Sequence, residues 1–127
     1  DTHGHLCGDM VLKQVAASVR EHIRQEQVFA RLGGDEFAVL CPETGLAGGQ
    51  GLAEKLRDRL AELKFAREGA GFSISCSFGI AERDGGMTND QALFEAADRA
   101  LYLAKGAGRN RVVAQSNPPV PPAPPAA

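Results

Sequence analysis

The sequence predicts an α+β sandwich in which helices cover a mostly antiparallel sheet. Three observations carry this. Three stretches repeat apolar residues at three- and four-residue steps, a glycine pair joins two short apolar strands, and residues 72–80 alternate strictly between apolar and small polar side chains. The order helix, hairpin, helix, strand, helix, strand leaves no run of alternating helices and strands long enough for an all-parallel sheet. At 127 residues the chain suits one domain with one core.

The first helix is predicted over Asp9–Arg24, with Leu12, Val15, Ala16, Val19 and Ile23 on one side and Lys13, Gln14, Arg20, Glu21 and Arg24 between them. Val28–Arg31 and Phe37–Cys41 then read as the arms of a β-hairpin turning at Leu32–Glu36. The second arm is apolar on both faces, as expected of a strand interior to a covered sheet. After Gly48, Gly49 and Gly51, a second helix carries Leu52, Leu56, Leu60 and Leu63 opposite Lys55, Arg57, Asp58 and Arg59.

Phe72–Ile80 reads as one half-buried strand, with Phe72, Ile74, Cys76, Phe78 and Ile80 on one face. A third helix over Asn89–Lys105 presents Leu93, Ala96, Ala97, Ala100, Leu101 and Ala104, and ends at Gly106 and Gly108. A last strand, Arg111–Ala114, precedes a proline-rich segment from Asn117. The expected organisation is a folded body over residues 1–114 and a disordered proline-rich tail over 115–127.

Composition narrows the function. Apolar residues are 43% and charged residues 24% of the chain, as in ordinary globular proteins, and no apolar run approaches the length of about 18 residues that a membrane span needs. A net charge of −2 supplies no basic field for polymeric nucleic acid. Cys7, Cys41 and Cys76 form no CxxC pair and are expected to be reduced packing residues. The expected location is cytoplasmic, with no membrane contact by this segment. The chain opens on Asp1 rather than methionine, as a fragment or a processed product would.

Chemistry concentrates at the hairpin. Gly33 and Gly34 sit where a tight turn needs conformational freedom, and Asp35 and Glu36 follow at once. Two readings stand at this point. The acids are a solvated turn, or, because Phe37 starts a strand immediately, they are held at the rim of the sheet as hard oxygen ligands for Mg²⁺ or Mn²⁺. Lys105 and Arg109, at the end of the third helix, read from the residues alone as complements to its dipole. Asp9 reads from its position as the N-cap of the first helix. His22 is expected to be solvated, and Tyr102 and the remaining phenylalanines are expected to pack.

The segment Arg31-Leu-Gly-Gly-Asp-Glu-Phe37 resembles the signature of the GGDEF family of diguanylate cyclases. Asp1–His5 with Gly8-Asp9, Ser77–Ala81, Ala97–Lys105 and Gly108–Val113 resemble further segments of that family, so the likeness runs from residue 1 to about 114. It implies a ferredoxin-like, nucleotidyl-cyclase-like fold and an enzyme that condenses two GTP into cyclic di-GMP with release of pyrophosphate. It implies Asp35 and Glu36 as catalytic and metal-binding acids, two Mg²⁺ or Mn²⁺ ions per active site, Gly33 and Gly34 against the phosphates, Asp9 on the guanine, and Lys105 and Arg109 on phosphate oxygens. The histidine matching His3 or His5 is structural in this family. Catalysis there takes a homodimer with facing sites, driven by an upstream sensor domain.

Two departures follow from the same likeness. The family's first strand, with an aspartate metal ligand and a phosphate-binding lysine, falls before residue 1, so the chain reads as a partial domain without its N-terminal strand and is expected to be inactive by itself. The family's product-inhibition motif, RxxD, aligns with Arg24-Gln-Glu-Gln27, where Gln27 replaces the aspartate. A neutral amide cannot make the charge-assisted pair, so product inhibition is expected to be weak or absent. The alternative to a cyclase is a catalytically silent GGDEF domain acting as a nucleotide-sensing or regulatory module.

Overall fold

Three helices and six strands account for the regular structure in a computed structural model that describes residues 5–84 and 89–115, with side chains from residue 8 onward. His3, the side chains of His5 and Cys7, and the proline-rich segment from residue 116 lie outside the described residues. Contacts divide the chain into two compact units. One comprises the described residues up to Thr44 with Asp58–Ser75, and the other comprises Gly45–Arg57 with the described residues from Cys76 onward. Among the described residues no helix is long and apolar enough to cross a membrane.

In the first unit, helix α1 spans His5–His22. It begins four residues before the sequence prediction, so Asp9 lies inside the helix and is not its N-cap. The expected apolar side is the buried one, with Val15 and Val19 at its centre and Ser18 buried beside them. His22 is half-buried rather than solvated, because its Nδ1–H donates to the Ser18 carbonyl at 2.7 Å. Strands β1 (Val28–Gly33) and β2 (Glu36–Leu40) form the expected antiparallel hairpin. The Phe29 and Phe37 rings stack across it at 5.3 Å, and the Arg20 guanidinium of α1 lies 5.2 Å from the Phe29 centroid, which ties helix to hairpin.

The hairpin's opposite face departs from expectation. Val28 and Leu40 are cross-strand partners and each is 55% exposed, so β2 is not an interior strand here. Among the described residues it pairs with β1 alone. Cys41, which follows β2, is a half-buried free thiol whose pKa burial pushes up, so it is a poor nucleophile.

Helix α2 spans Leu46–Ala61. The predicted leucine stripe is buried at Leu56 and most deeply at Leu60, which is 2% exposed. Such burial contributes about 1.5–3 kcal/mol per leucine. The next element, an antiparallel hairpin of β3 (Phe65–Arg67) and β4 (Ala70–Phe72), was not anticipated from the residue pattern. Its two-residue turn, Glu68-Gly69, has positive φ at both positions, the geometry that two-residue hairpins favour. Phe65 and Phe72 stack across it at 5.4 Å. The strand expected over Phe72–Ile80 is therefore broken. Phe72 ends β4, and the chain resumes strand structure only at β5 (Phe78–Ile80). Between them exposure still alternates, with Ile74 and Cys76 half-buried and Ser73 and Ser75 exposed. Alternation reports sidedness, while a strand also needs a ladder partner, and residues 73–77 have none among the described residues.

The second unit is built around helix α3 (Asp90–Gly106). Asn89 caps it, its side chain accepting the Ala92 N–H at 2.9 Å. Strand β6 (Val112–Ala114) pairs with β5 in parallel, the one parallel pair beside two antiparallel ones among the described residues. Parallel neighbours need a crossover, and α3 supplies it. Gln115, placed by the sequence in the tail, continues the body, since its N–H donates to the Ile80 carbonyl at 2.7 Å and its side chain accepts from the Glu82 N–H. Glu82 in turn accepts the Leu46 N–H at 3.0 Å, capping α2, whose preceding residue Gly45 has no side chain to do so.

The buried stripe of α3 is Ala96, Ala100 and Ala104, all small, and the helix also approaches β5 closely. At Gly79 the approach is closest. A Cβ placed there would fall on the Ala97 carbonyl oxygen and the Leu101 nitrogen, both backbone atoms of α3. Tyr102, by contrast, is 75% exposed and Phe94 also faces solvent, so neither packs as the sequence suggested. Replacing Gly79 with alanine is expected to destabilise the fold by about 1–3 kcal/mol through overpacking against backbone that cannot yield. A lower denaturant midpoint with unchanged slope checks this, and a wild-type midpoint would refute it.

Candidate active site

The hairpin tip brings together Gly33, Gly34, Asp35 and Glu36. Arg31 faces Phe37 and Gly33 faces Glu36, so Leu32 is an extra residue on β1 and forms a β-bulge just before the turn. Only Gly34 and Asp35 remain as the loop. Gly33 has φ 147° and Gly34 has φ 52°, and a Cβ at either would meet nothing within 4 Å. Glycine is required there by backbone conformation and not by lack of space.

Arg31 was not assigned a role by sequence reasoning, yet it organises this turn. Its Nε and Nη2 both donate to the Gly34 carbonyl, at 2.9 and 2.6 Å. The signal available in the sequence was an arginine three residues before a glycine, too common to be diagnostic. Asp35 and Glu36, which follow the clamped carbonyl, are both exposed. Asp9 is also exposed, on α1 of the same unit.

Among the described residues no group of three or more His, Cys, Asp or Glu side chains gathers as a metal cage. Two neighbouring carboxylates on a fixed tip fit the other way of holding Mg²⁺, in which one or two carboxylates share the ion with substrate phosphates and water. The residues present therefore fit a hard divalent cation shared with a phosphate-bearing ligand.

Lys105 and Arg109 belong to the second unit, at the end of α3. The Gly108 N–H donates to the Lys105 carbonyl at 3.4 Å, the Arg109 N–H to the Ala104 carbonyl at 2.9 Å, and the Ala107 N–H to the Leu103 carbonyl at 2.9 Å. With Gly108 at φ 123°, this is a Schellman-type cap. It fixes Arg109 one turn beyond Lys105, so the two cations share one helix end.

Arg24 and Gln27 form the turn between α1 and β1. The Gln27 N–H donates to the Arg24 carbonyl at 3.0 Å, and the Gln27 Oε1 accepts the Arg24 N–H at 2.7 Å. The side chain that stands in place of an aspartate is thus committed to holding its own turn.

Comparison with known proteins gives one consistent answer. The family model described as "Diguanylate cyclase, GGDEF domain" matches residues 1–111. Diguanylate cyclase DgcP of Pseudomonas aeruginosa is 47% identical over 112 residues, which cover 88% of this chain and 16% of that protein. The active GGEEF domain of a diguanylate cyclase from Vibrio cholerae superposes with a TM-score of 0.83 at 32% identity, covering 91% of this chain and 74% of that one. The GGDEF domain of DgcB from Caulobacter crescentus, in complex with c-di-GMP, superposes with a TM-score of 0.84 at 34% identity, covering 90% and 68% respectively. The chain spans between 16% and 32% of the length of the curated relatives it matches.

If Arg31 sets the turn, Arg31→Ala should leave the fold intact while amide exchange at Gly34, Asp35 and Glu36 quickens about tenfold, equivalent to a net hydrogen-bond contribution of about 1–1.5 kcal/mol. Unchanged exchange at these three amides would remove Arg31 from this role.

Proposed function

The chain belongs to the diguanylate cyclase GGDEF family, and from that premise we propose that it is the catalytic segment of an enzyme condensing two GTP into cyclic di-GMP. The observation that carries the reading is the hairpin tip, where a bulge, two glycines at positive φ and the Arg31 clamp fix the turn that carries the exposed Asp35 and Glu36.

In the proposed reaction the 3′-oxygen of one GTP attacks the α-phosphorus of the other as its proton leaves. The bond to the β-phosphate oxygen breaks, pyrophosphate departs, and the same step with roles exchanged closes the ring. Asp35 and Glu36 would hold Mg²⁺ or Mn²⁺, two ions per site, and such cations when bound neutralise charge on the attacking and leaving oxygens. Gly33 and Gly34, beside which an added Cβ would meet nothing within 4 Å, are assigned to the phosphates. Asp9 is assigned to the guanine edge, where a carboxylate can accept from ring N–H and amino donors. Lys105 and Arg109 are assigned to phosphate oxygens, for which the guanidinium fork is well shaped.

Each protomer brings one GTP, so the proposal includes a two-fold homodimer, and a sensor domain in the longer parent protein would govern its formation. A cytoplasmic location follows from the substrate. Gln27, held in its turn, leaves Arg24 without an acidic companion for gripping the product, so the enzyme should escape product inhibition at this turn.

The full-length protein is to be assayed with GTP and Mg²⁺ beside Asp35→Ala and Glu36→Ala. Each substitution should lower cyclic di-GMP formation by at least about 100-fold, and added cyclic di-GMP should leave the wild-type rate unchanged. GTP binding without product from the wild type would instead identify a silent nucleotide-sensing domain. Strong inhibition abolished by Arg24→Ala would reverse the reading of the Arg24–Gln27 turn.

A further inference from the structure

Three successive residues after α3 have positive φ: Gly108 at 123°, Arg109 at 61° and Asn110 at 47°. Glycine adopts this conformation freely and asparagine tolerates it, but for arginine it is unfavourable and needs support from its surroundings. The helix cap accounts for Gly108 and for the Arg109 N–H, and nothing in the cap requires the conformation to continue through Arg109 and Asn110.

The support comes from Asn110. Its N–H donates to Ser77 Oγ at 3.0 Å, and its Oδ1 accepts from Arg57 Nη1 at 3.3 Å. Arg57 is itself held by Glu54, one turn back on α2, at 2.8 Å. The carbonyl of Arg109 is taken by Arg111 Nε at 3.0 Å. All these residues belong to the second unit. Arg57 and Arg111 therefore turn their guanidinium groups inward to the loop. The Arg109 guanidinium makes no hydrogen bond or ion pair among the described residues and stays exposed.

We propose that Asn110 is a positioning residue for phosphate recognition: by bonding Ser77 and Arg57 it holds Arg109 in the left-handed conformation that aims its guanidinium at a nucleotide phosphate. The inference rests on the assignment of Arg109 to phosphate in the preceding subsection. A guanidinium gains most over a point charge when its fork is pre-set, so an arginine on a fixed backbone binds with less loss of freedom than one on a mobile loop.

The test measures KM and kcat for GTP in the full-length protein for Arg109→Ala, Asn110→Ala and the double variant. Arg109→Ala should raise KM about tenfold, and Asn110→Ala about three- to tenfold, with kcat changed less than about twofold. In the Arg109→Ala background, Asn110→Ala should raise KM no further, because it acts only through the residue already removed. A purely structural role would lower kcat with the folded fraction and leave KM alone. Should Asn110→Ala not fold, Arg57→Met removes the donor to Oδ1 while keeping the apolar stem, and the same rise in KM is expected. A wild-type KM in the Asn110 or Arg57 variant, or effects that multiply in the double variant, would overturn the proposal while Arg109 kept its role. A wild-type KM for Arg109→Ala would overturn both.

Discussion

The second unit depends on the approach of β5 to α3 at Gly79, where strand and helix backbones come too close for even one methyl group. The buried face of the same helix is made of the small residues Ala96, Ala100 and Ala104. With α3 seated, the chain can return beside β5 as the parallel strand β6, and the turn between them is confined to a few residues. Ser77, directly before β5, and Asn110, directly after the helix cap, then meet across that turn. The backbone of Phe78 is bonded to Arg111 in the same place. The geometry around Arg109 is thus a consequence of how tightly one strand fits one helix.

The first unit solves a different problem, that of presenting adjacent negative charges. Asp35 and Glu36 stand on a loop of two residues, and the forces that fix it are all local: a bulge, two glycines and an arginine drawn back onto a carbonyl. The stack of Phe29 on Phe37, backed by Arg20, anchors the base of the hairpin so that order at the tip does not require burial there. Exposed and ordered is the combination a carboxylate needs if it is to share a cation with a ligand that comes and goes.

At the helix end carrying Lys105 and Arg109 the charge is opposite in sign, and the means are opposite too. There the backbone carbonyls of α3 are satisfied by the capping N–H groups of Ala107, Gly108 and Arg109, so the basic side chains need not serve as caps. The dipole reading of these two residues and the phosphate reading are therefore compatible, since a cation at a helix C-terminus is stabilised by the dipole whatever else it contacts.

What the sequence by itself determined is whatever depends on neighbours along the chain. Helical periodicity located all three helices and the buried sides of α1, α2 and α3, and a run of five residues from Gly33 to Phe37 identified the hairpin and its family. The Gly106–Gly108 stop signal likewise anticipated the cap that places Arg109. Tertiary structure decided what depends on partners distant in sequence. The period-two pattern of residues 72–80 was correct for sidedness, yet pairing split it between β4 and β5, because a ladder needs a partner that alternation does not name. The apolar run of β2 suggested an interior strand, but burial is a property of what lies alongside, and Leu40 lies open. Asp9 lost its role as a cap because α1 began at His5, and Arg31, Ser77, Arg57 and Asn110 acquired theirs only where hydrogen bonds crossed a turn or spanned 33 and 53 residues of sequence separation. Local preferences are written in the sequence because they act over one turn of helix or one hairpin; the positioning of a functional side chain is not, because it is set by atoms that only folding brings within reach.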